Sequence, residues 1–280
     1  FPVWFFQGIQ KMRYITILNM SGRICTMLGI FLLVKSPDDY ILAAFLQSCT
    51  PLIAGIFSIV WLRKHYTGLF KLPPMGEIIN SYKEGWSIFV SSLAVNLYTA
   101  TNVVVLGMLT NNVIVGYYSA ADKLITCVRR GIYAVSDAIY PFISKMMRDD
   151  IPKGLQFIKK QLFLYLIVGL VGCTSLFFFS DTIVRLLFGA DYDLTVDVLR
   201  ILSFVPLAVA ISTVFGEETM LPLNMNSAYS RTLVLGAFFS LISIFPLCYL
   251  WGAKGVAITM LLTEFLIMSI MGGLLRKQLF

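Results

Sequence analysis

Residues 161–180 read QLFLYLIVGLVGCTSLFFFS, a run of 20 residues without a charged side chain. About 20 apolar residues are enough for a helix to cross the hydrocarbon core of a bilayer. Comparable uncharged runs cover residues 41–62, 232–253 and 85–121, and the last is long enough for one span, a turn at 110–112 and the start of the next span. The sequence therefore predicts an all-α polytopic membrane protein.

The composition of the whole chain supports the same fold class. Of its 280 residues, 58% are hydrophobic and 13% are charged, whereas a soluble domain has about 45–50% apolar and about 25% charged residues. This composition excludes an ordinary cytosolic enzyme and a disordered protein. Eight complete spans are expected, preceded by the tail of another span in residues 1–10. The expected spans are 15–34, 41–62, 86–109, 113–142, 160–180, 198–222, 230–250 and 254–275.

The loops between these spans alternate in positive charge. One side of the expected membrane holds 14 of the 22 Lys and Arg residues, the other side holds 4, and 4 fall within spans. Because cytoplasmic loops collect Lys and Arg, the richer side is predicted to face the cytoplasm, with both ends of the chain on that side. The same bias accounts for the net charge of +7, so no nucleic-acid partner is expected.

Motifs for catalysis or metal binding are not evident. The 5 cysteines lie in apolar stretches without a CxxC pair, and the single histidine, His65, has no partner at a metal-ligand spacing. The sequence also lacks a Walker A motif, a GxGxxG loop and an HExxH helix. We therefore predict no catalytic residues, no metal site and no cofactor.

Two segments of the chain resemble each other at a nearly constant offset. Gly8, Met12 and Arg23 match Gly216, Met220 and Arg231 at an offset of 208, and residues 62–64 match 275–277 at an offset of 213. Internal duplication is common in transporter folds. The offset places the start of the first copy about 120 residues before Phe1, which predicts a truncated chain from a protein of about 400 residues and twelve spans.

Three further segments carry a family resemblance. Residues 2–12 (PVWFFQGIQKM) resemble the end of the fourth span of O-antigen flippases (Wzx), residues 116–123 (GYYSAADK) resemble the opening of their eighth span, and residues 187–192 (LFGADY) resemble the outer loop after their ninth. These flippases belong to the multidrug/oligosaccharidyl-lipid/polysaccharide exporter superfamily. The resemblance implies a MATE-like fold, with two six-helix bundles around a central cavity.

The resemblance also implies domains, a substrate and partners. Residues 1–64 would end the first, incomplete bundle, 65–84 would form a cytoplasmic linker, and 85–280 would form the second bundle. The protein would move an undecaprenyl-pyrophosphate-linked sugar repeat unit across the bacterial inner membrane. Its partners would be the lipid-linked oligosaccharide, the bilayer and other O-antigen assembly proteins.

Charges within spans are costly and usually face a cavity, so they are the first candidates for a binding site. Lys123, Arg130 and Asp137 are spaced by seven residues and share one face of the span 113–142, with Arg129 and Asp122 about 100° away. Arginine and lysine can neutralise a pyrophosphate. We expect substrate contact from Arg130, Lys123, Arg129 and Arg23, and sugar contact from Asn96 and Thr99 on the polar stripe of span 86–109. The alternative is that the charges on span 113–142 pair with one another and hold helices together.

The acids within spans are candidates for ion coupling. Glu264 lies near the centre of span 254–275, and Glu217 and Glu218 lie in the inward third of span 198–222. Such acids serve as proton relays in transporters, or they form salt bridges with the arginines, as Asp122 and Asp137 also could. A proton or sodium gradient is the expected energy source. Two other functions stay open: a multidrug or cation exporter of the same superfamily, and a membrane enzyme of polysaccharide assembly such as an O-antigen polymerase.

Overall fold

The computed structural model describes residues 5–6, 12–36, 39–65 and 74–279, and within these ranges the chain is helical, with no strand. They fall into two compact units, which divide between Met75 and Gly76. Most of the expected tail span 1–10 and residues 66–73 of the expected linker 65–84 lie outside the described residues, whereas residues 75–84 of that linker are helical. Gly8, which the predicted repeat requires, lies there too, so the repeat stays a prediction.

Among its described residues, the first unit has two long helices. Helices α1 (Met12–Leu33) and α2 (Tyr40–His65) pack against each other. The Trp61 ring packs against those of Phe6 and Tyr14, with ring centroids 5.4 and 4.8 Å away. The His65 ring stacks on Trp61 at 4.2 Å, and its Nδ1 lies 2.9 Å from the Trp61 carbonyl oxygen. The single histidine therefore contacts Trp61 of its own helix through both its ring and its Nδ1 atom.

The second unit contains six helices and one π-helical turn. They are α3 (Met75–Leu109), α4 (Asn112–Asp149), α5 (Ile151–Phe188), α6 (Asp193–Leu202), α7 (Val205–Phe215), the π turn (Gly216–Met220) and α8 (Asn226–Leu279). The turn expected at 110–112 is present. Asn111 caps α4 by accepting a hydrogen bond from the Ile114 N–H at 3.0 Å, as N-cap residues commonly do.

The expected span 198–222 is a broken helix in the centre of this unit. It consists of α6, a break at Ser203 and Phe204, α7 and the π turn. Helices α4, α5 and α8 pack around it, and most of its residues are buried. Polar groups on this segment are consequently enclosed by protein rather than by lipid.

The expected spans 230–250 and 254–275 correspond to the two halves of α8. Gly252 separates them with a left-handed backbone (φ 54°, ψ −129°), which glycine adopts without steric cost. Across this kink Gly255 approaches the Leu247 backbone so closely that a Cβ atom there would overlap the Leu247 carbonyl group. Glycine is therefore required at position 255 by a close approach of two helix segments.

Five helical stretches among the described residues are long and apolar enough to cross a membrane: Ile41–His65, Ile88–Leu109, Ile151–Phe188, Asp193–Met220 and Asn226–Arg276. The last of these contains two of the expected spans. The apolar stretch Met20–Leu33 in α1 is shorter, and α4 is not among the five. Multiple membrane crossings are thus supported, whereas the number of eight spans stays a prediction.

Charged residues near the ends of α5 and α6 and at the kink of α8 form ion pairs in the second unit. Arg185 donates hydrogen bonds to Asp181 at 2.8 Å and to Asp193 at 3.1 Å, and Lys254 lies 2.7 Å from Asp197. The segment between the expected spans 160–180 and 198–222 is mostly helical, because α5 continues to Phe188 and α6 begins at Asp193. Only residues 189–192 connect the two helices.

Candidate functional site

A small cavity of about 50 Å³ lies within the second unit, where α3, α4, α7, the π turn and α8 meet. Two carboxyl groups and three tyrosines contribute to its wall, beside apolar side chains and two hydroxyls. The lining residues are Val95, Tyr98, Tyr133, Val209, Ser212, Thr213, Glu217, Tyr229, Leu233, Glu264, Ile267 and Met271. We call this space the acidic cavity.

Glu264 and Tyr98 form the most buried polar contact of the acidic cavity. The Tyr98 hydroxyl donates a hydrogen bond of 2.9 Å to Glu264 Oε1, between residues 166 positions apart in the chain. The two side chains are 3% and 4% exposed. The Arg129 guanidinium, on α4, acts electrostatically on this carboxyl group. Glu264 therefore has a neutral hydrogen-bond donor and a cation as neighbours within the protein.

The two acids of the π turn face different surroundings. Glu217 lines the acidic cavity, and its carboxyl group interacts electrostatically with Asp137 and with Tyr229. Glu218 is fully buried and accepts a hydrogen bond of 2.5 Å from Ser136 Oγ on α4. Helical turns of the π type occur often at functional sites. The two adjacent acids therefore contact different residues, although their carboxyl groups also interact electrostatically with each other.

Helix α4 presents a charged face that is open in the second unit. Lys123, Arg130 and Asp137 are exposed, and none of them forms an ion pair with a described residue. Arg129 is half-buried, and its Nη2 donates a long contact of 3.4 Å to Thr126 Oγ1. Asp122, also half-buried, lies within electrostatic range of Arg129. The geometry of the described residues thus leaves Lys123 and Arg130 available to an anion.

The polar residues expected on α3 bond locally. Asn96 Nδ2 donates to the Ser92 carbonyl oxygen at 2.8 Å, and Thr99 Oγ1 donates to that of Val95 at 2.8 Å. Neither residue lines the acidic cavity, whereas Tyr98 on the same helix does. Their expected contact with sugar stays a prediction.

Arg23 lies in the first unit, where it lines an open depression of about 530 Å³ together with Thr26 and Gln47. Its side chain is exposed. The structure therefore places Arg23 in a different compact unit from the other predicted site residues, and its role stays a prediction.

Three residues that contact the candidate acids escaped the sequence analysis: Tyr98, Tyr229 and Ser136. Each is an uncharged polar residue in an apolar helix, so neither charge nor motif spacing distinguished it. The only available signal was a hydroxyl or amide group within an expected span, which is shared by many residues that bond only to their own backbone.

Comparisons with known proteins identify the relatives of the chain. The family described as "Polysaccharide biosynthesis protein" matches residues 1–147. A protein of Escherichia coli (strain K12) named "Putative O-antigen transporter" is 31% identical over 279 residues, which cover 99% of this chain and 67% of that protein. The protein of the same name from Shigella dysenteriae is 31% identical over 97% of this chain and 68% of its own length.

A more distant relative comes from an archaeon. The "Probable low-salt glycan biosynthesis flippase Agl15" of Haloferax volcanii is 24% identical over 243 residues, which cover 86% of this chain and 50% of that protein. No solved structure matches the chain. The family match spans more than half of the chain, and the bacterial relatives align with nearly all of it. The chain belongs to the polysaccharide biosynthesis protein family, to which its resemblance to O-antigen flippases had pointed.

Proposed function

We propose that this protein is a flippase for a lipid-linked oligosaccharide, an undecaprenyl-pyrophosphate-linked repeat unit, in the bacterial inner membrane. It would carry the sugar from the cytoplasmic to the periplasmic leaflet by alternating access between two MATE-like bundles, with eight complete spans in this chain. The names of its relatives, which are O-antigen transporters and a glycan biosynthesis flippase, support this function. Other O-antigen assembly proteins would supply and use the repeat unit.

The observation that carries the proposal is the open charged face of α4. Arg130 and Lys123 are exposed and have no ion pair with a described residue. A cation within a membrane protein is costly unless it faces a wet cavity or a partner. A pyrophosphate group offers such a partner, because guanidinium donors match phosphate oxygens in pairs. Arg130 and Lys123 would therefore bind the pyrophosphate, and Arg129 would assist from the edge of the same face.

The acidic cavity would couple this binding to an ion gradient. In the proposed cycle a proton on Glu264 weakens its attraction for Arg129, which then becomes available to the pyrophosphate. Loss of the proton restores the attraction and favours release of the lipid. A ligand drives such a cycle only if it binds the inward- and outward-open states unequally. Glu217, Glu218, Asp122 and Asp137 are the other acids whose protonation or ion binding would contribute.

The lining of the acidic cavity also favours a second function, the export of a cationic compound. Three tyrosines and two carboxyl groups attract positive charge, and the cavity of about 50 Å³ would have to widen in the transport cycle to admit an organic cation. The two functions differ in the effect of removing a cation from α4. Loss of Arg130 would weaken binding of an anionic lipid but would favour binding of a cationic drug.

The experiment is a complementation assay, in which the full-length gene is expressed in a native-host strain that lacks it. We expect Arg130→Ala to reduce the surface polysaccharide and to cause lipid-linked precursor to accumulate, at normal membrane abundance. Arg130→Lys would restore part of the function, because an ammonium group lacks the paired donors of a guanidinium group. Lys145→Ala is the matched control, since Lys145 is an exposed cation farther along α4. Normal polysaccharide in the Arg130→Ala strain would contradict the proposed role, and a loss of abundance would indicate a structural role instead.

A further inference from the structure

A groove of about 480 Å³ lies between α4 and α5 on the outside of the second unit. Ile132 and Val135 line its α4 side, Val168 and Leu176 line its α5 side, and Pro206 of α7 lies at its base. Val135 and Val168 are exposed and Pro206 is buried, so the space opens outward and is closed on the inside. Its described lining contains no charged side chain. We call this space the α4–α5 groove, and its apolar lining is suited to a hydrocarbon chain.

Two glycines keep the α4–α5 groove open. Near their connection the two helices are in contact, and the rings of Phe142 and Phe157 have centroids 5.6 Å apart. Farther from the connection Gly131 and Gly172 line the groove, one from each helix, and a Cβ atom at either position would meet no neighbouring atom within 4 Å. The space between the helices is therefore accessible to a ligand that approaches from outside the unit.

Helix α5 connects the α4–α5 groove to two cations. Lys159 and Lys160 directly precede the uncharged run 161–180, are exposed, and form no ion pair with any residue that the structure describes. Residues four positions apart are neighbours on a helix surface. Lys160, the exposed Leu164 and the groove residue Val168 therefore form a continuous line along α5.

The length of this line matches a lipid of one leaflet. At 1.5 Å per residue, Val168 and Gly172 lie about 12 and about 18 Å along α5 from Lys160. The hydrocarbon of one leaflet is about 15 Å deep, which is half of a core of about 30 Å. A lipid whose headgroup lies beside Lys160 would therefore have the end of one chain in the groove. Because lysines near the membrane surface attract anionic lipids, the headgroup that fits carries a negative charge.

The α4–α5 groove faces away from the cation to which the proposed flippase function assigns the pyrophosphate. With 3.6 residues per turn, Ile132 and Val135 lie roughly 140–160° around α4 from Arg130. A lipid held at Arg130 would have to pass its chain over α4 to enter the groove. The occupant that fits this position is therefore a lipid of the surrounding bilayer rather than the lipid-linked glycan.

We propose that the α4–α5 groove binds one chain of an anionic phospholipid, whose headgroup contacts Lys159 and Lys160. The bound lipid contacts α4, α5 and the start of α7, and its binding stabilises the folded second unit. Phosphatidylglycerol is the probe for this lipid. The inference does not rest on the proposed flippase function, because its test measures lipid binding and stability rather than transport.

The test is thermal unfolding of the protein, expressed in full and purified in detergent micelles, with added phosphatidylglycerol or with phosphatidylcholine of the same chains. A ligand that binds only the folded state raises the unfolding midpoint with its concentration. We expect a saturable increase with phosphatidylglycerol and a much smaller one with phosphatidylcholine. The double variant Lys159→Ala, Lys160→Ala should lose this difference, and Gly172→Leu, whose side chain would occupy the groove, should lose most of the increase. The matched controls Lys83→Ala, at an exposed lysine of α3, and Gly273→Leu, where a Cβ atom also meets no neighbour within 4 Å, should respond as the wild type does.

A second measurement covers the case in which a variant does not fold. Native mass spectrometry of the wild type should show about one phosphatidylglycerol retained per chain, in preference to phosphatidylcholine. The proposal is overturned if the wild type responds equally to the two lipids and retains both equally, as expected for a non-specific lipid layer. It is also overturned if Gly172→Leu keeps the wild-type response, because the headgroup contact alone would then account for it. Displacement of phosphatidylglycerol by an equimolar amount of undecaprenyl pyrophosphate would identify the substrate lipid as the occupant and would overturn it as well.

Discussion

Removal of the Tyr98 hydroxyl should destabilise the second unit by about 1–3 kcal/mol. The change Tyr98→Phe keeps the ring and deletes only the donor of the 2.9 Å hydrogen bond to Glu264 Oε1. Since Glu264 is only 4% exposed, water has little access to the acceptor that is left. The expected cost is therefore the penalty for an unsatisfied buried acceptor rather than the smaller net value of an exposed hydrogen bond.

A double-mutant cycle assigns this cost to the contact itself. Tyr98→Phe, Glu264→Gln and the double variant are compared by equilibrium denaturation in detergent, followed by the fluorescence of the four tryptophans, which include Trp86 on α3 and Trp251 on α8. Residues in direct contact show a coupling energy of about 0.5–3 kcal/mol. Tyr82→Phe is the matched control, because Tyr82 lies on the same helix and is 74% exposed. A free energy of unfolding for Tyr98→Phe within about 0.5 kcal/mol of the control, the usual range of surface substitutions, would refute the reasoning.

The remaining predictions concern the kink, a helix cap and the topology. Gly255→Ala should prevent folding or greatly reduce membrane abundance, because the added Cβ overlaps backbone, whereas Gly273→Ala meets no atom within 4 Å and should be tolerated; abundance on immunoblots distinguishes them. The Lys153 side chain and the Lys153 backbone N–H both donate hydrogen bonds to Asp150. These bonds, the side-chain one above all, hold the pKa of Asp150 below its usual value of 3.8. The Asp150 carboxylate therefore stabilises the start of α5 fully above pH 3.8, and this stabilisation is lost as the pH falls through the lowered pKa. Amide hydrogen exchange at the start of α5 should lose this pH dependence in Asp150→Asn. A reporter fused after Lys160 should be cytoplasmic and one at Asp191 external, and the opposite result at either site would contradict the charge bias.

Long-range patterns in the sequence predicted the helices well. The uncharged run 85–121 is too long for one span, so the polar residues 110–112 inside it predicted a turn. The structure has this turn between Leu109 and Asn112. The boundary expected between residues 250 and 254 is the kink at Gly252. Hydrophobicity, however, does not predict how far a helix extends beyond the membrane. Helix α3 therefore begins at Met75, before the expected span 86–109.

The geometry of the candidate site could be predicted only in part. Intramembrane charge identified Glu217, Glu218 and Glu264 as acids within the expected spans, and the structure buries Glu218 and Glu264 inside the protein. The charge pattern could not reveal that Glu217 and Glu218 contact different residues, since this follows from the π turn and from the packing of α4, α5 and α8 around it. Tyr98 was missed for a similar reason, because its partner lies 166 residues away in the chain.

The central claim is that this protein moves a lipid-linked glycan across a bilayer with the help of the α4 cations, and reconstituted flipping tests it most directly. The protein, expressed in full, is placed in liposomes that carry an undecaprenyl-pyrophosphate-linked glycan, and a membrane-impermeant lectin or glycosidase reports how much glycan becomes accessible with time. We expect fast exposure with the wild type, a rate near that of protein-free liposomes with Arg130→Ala, and a wild-type rate with Lys145→Ala. Exposure by the wild type at the protein-free rate, or equal rates for the wild type and Arg130→Ala, would contradict it.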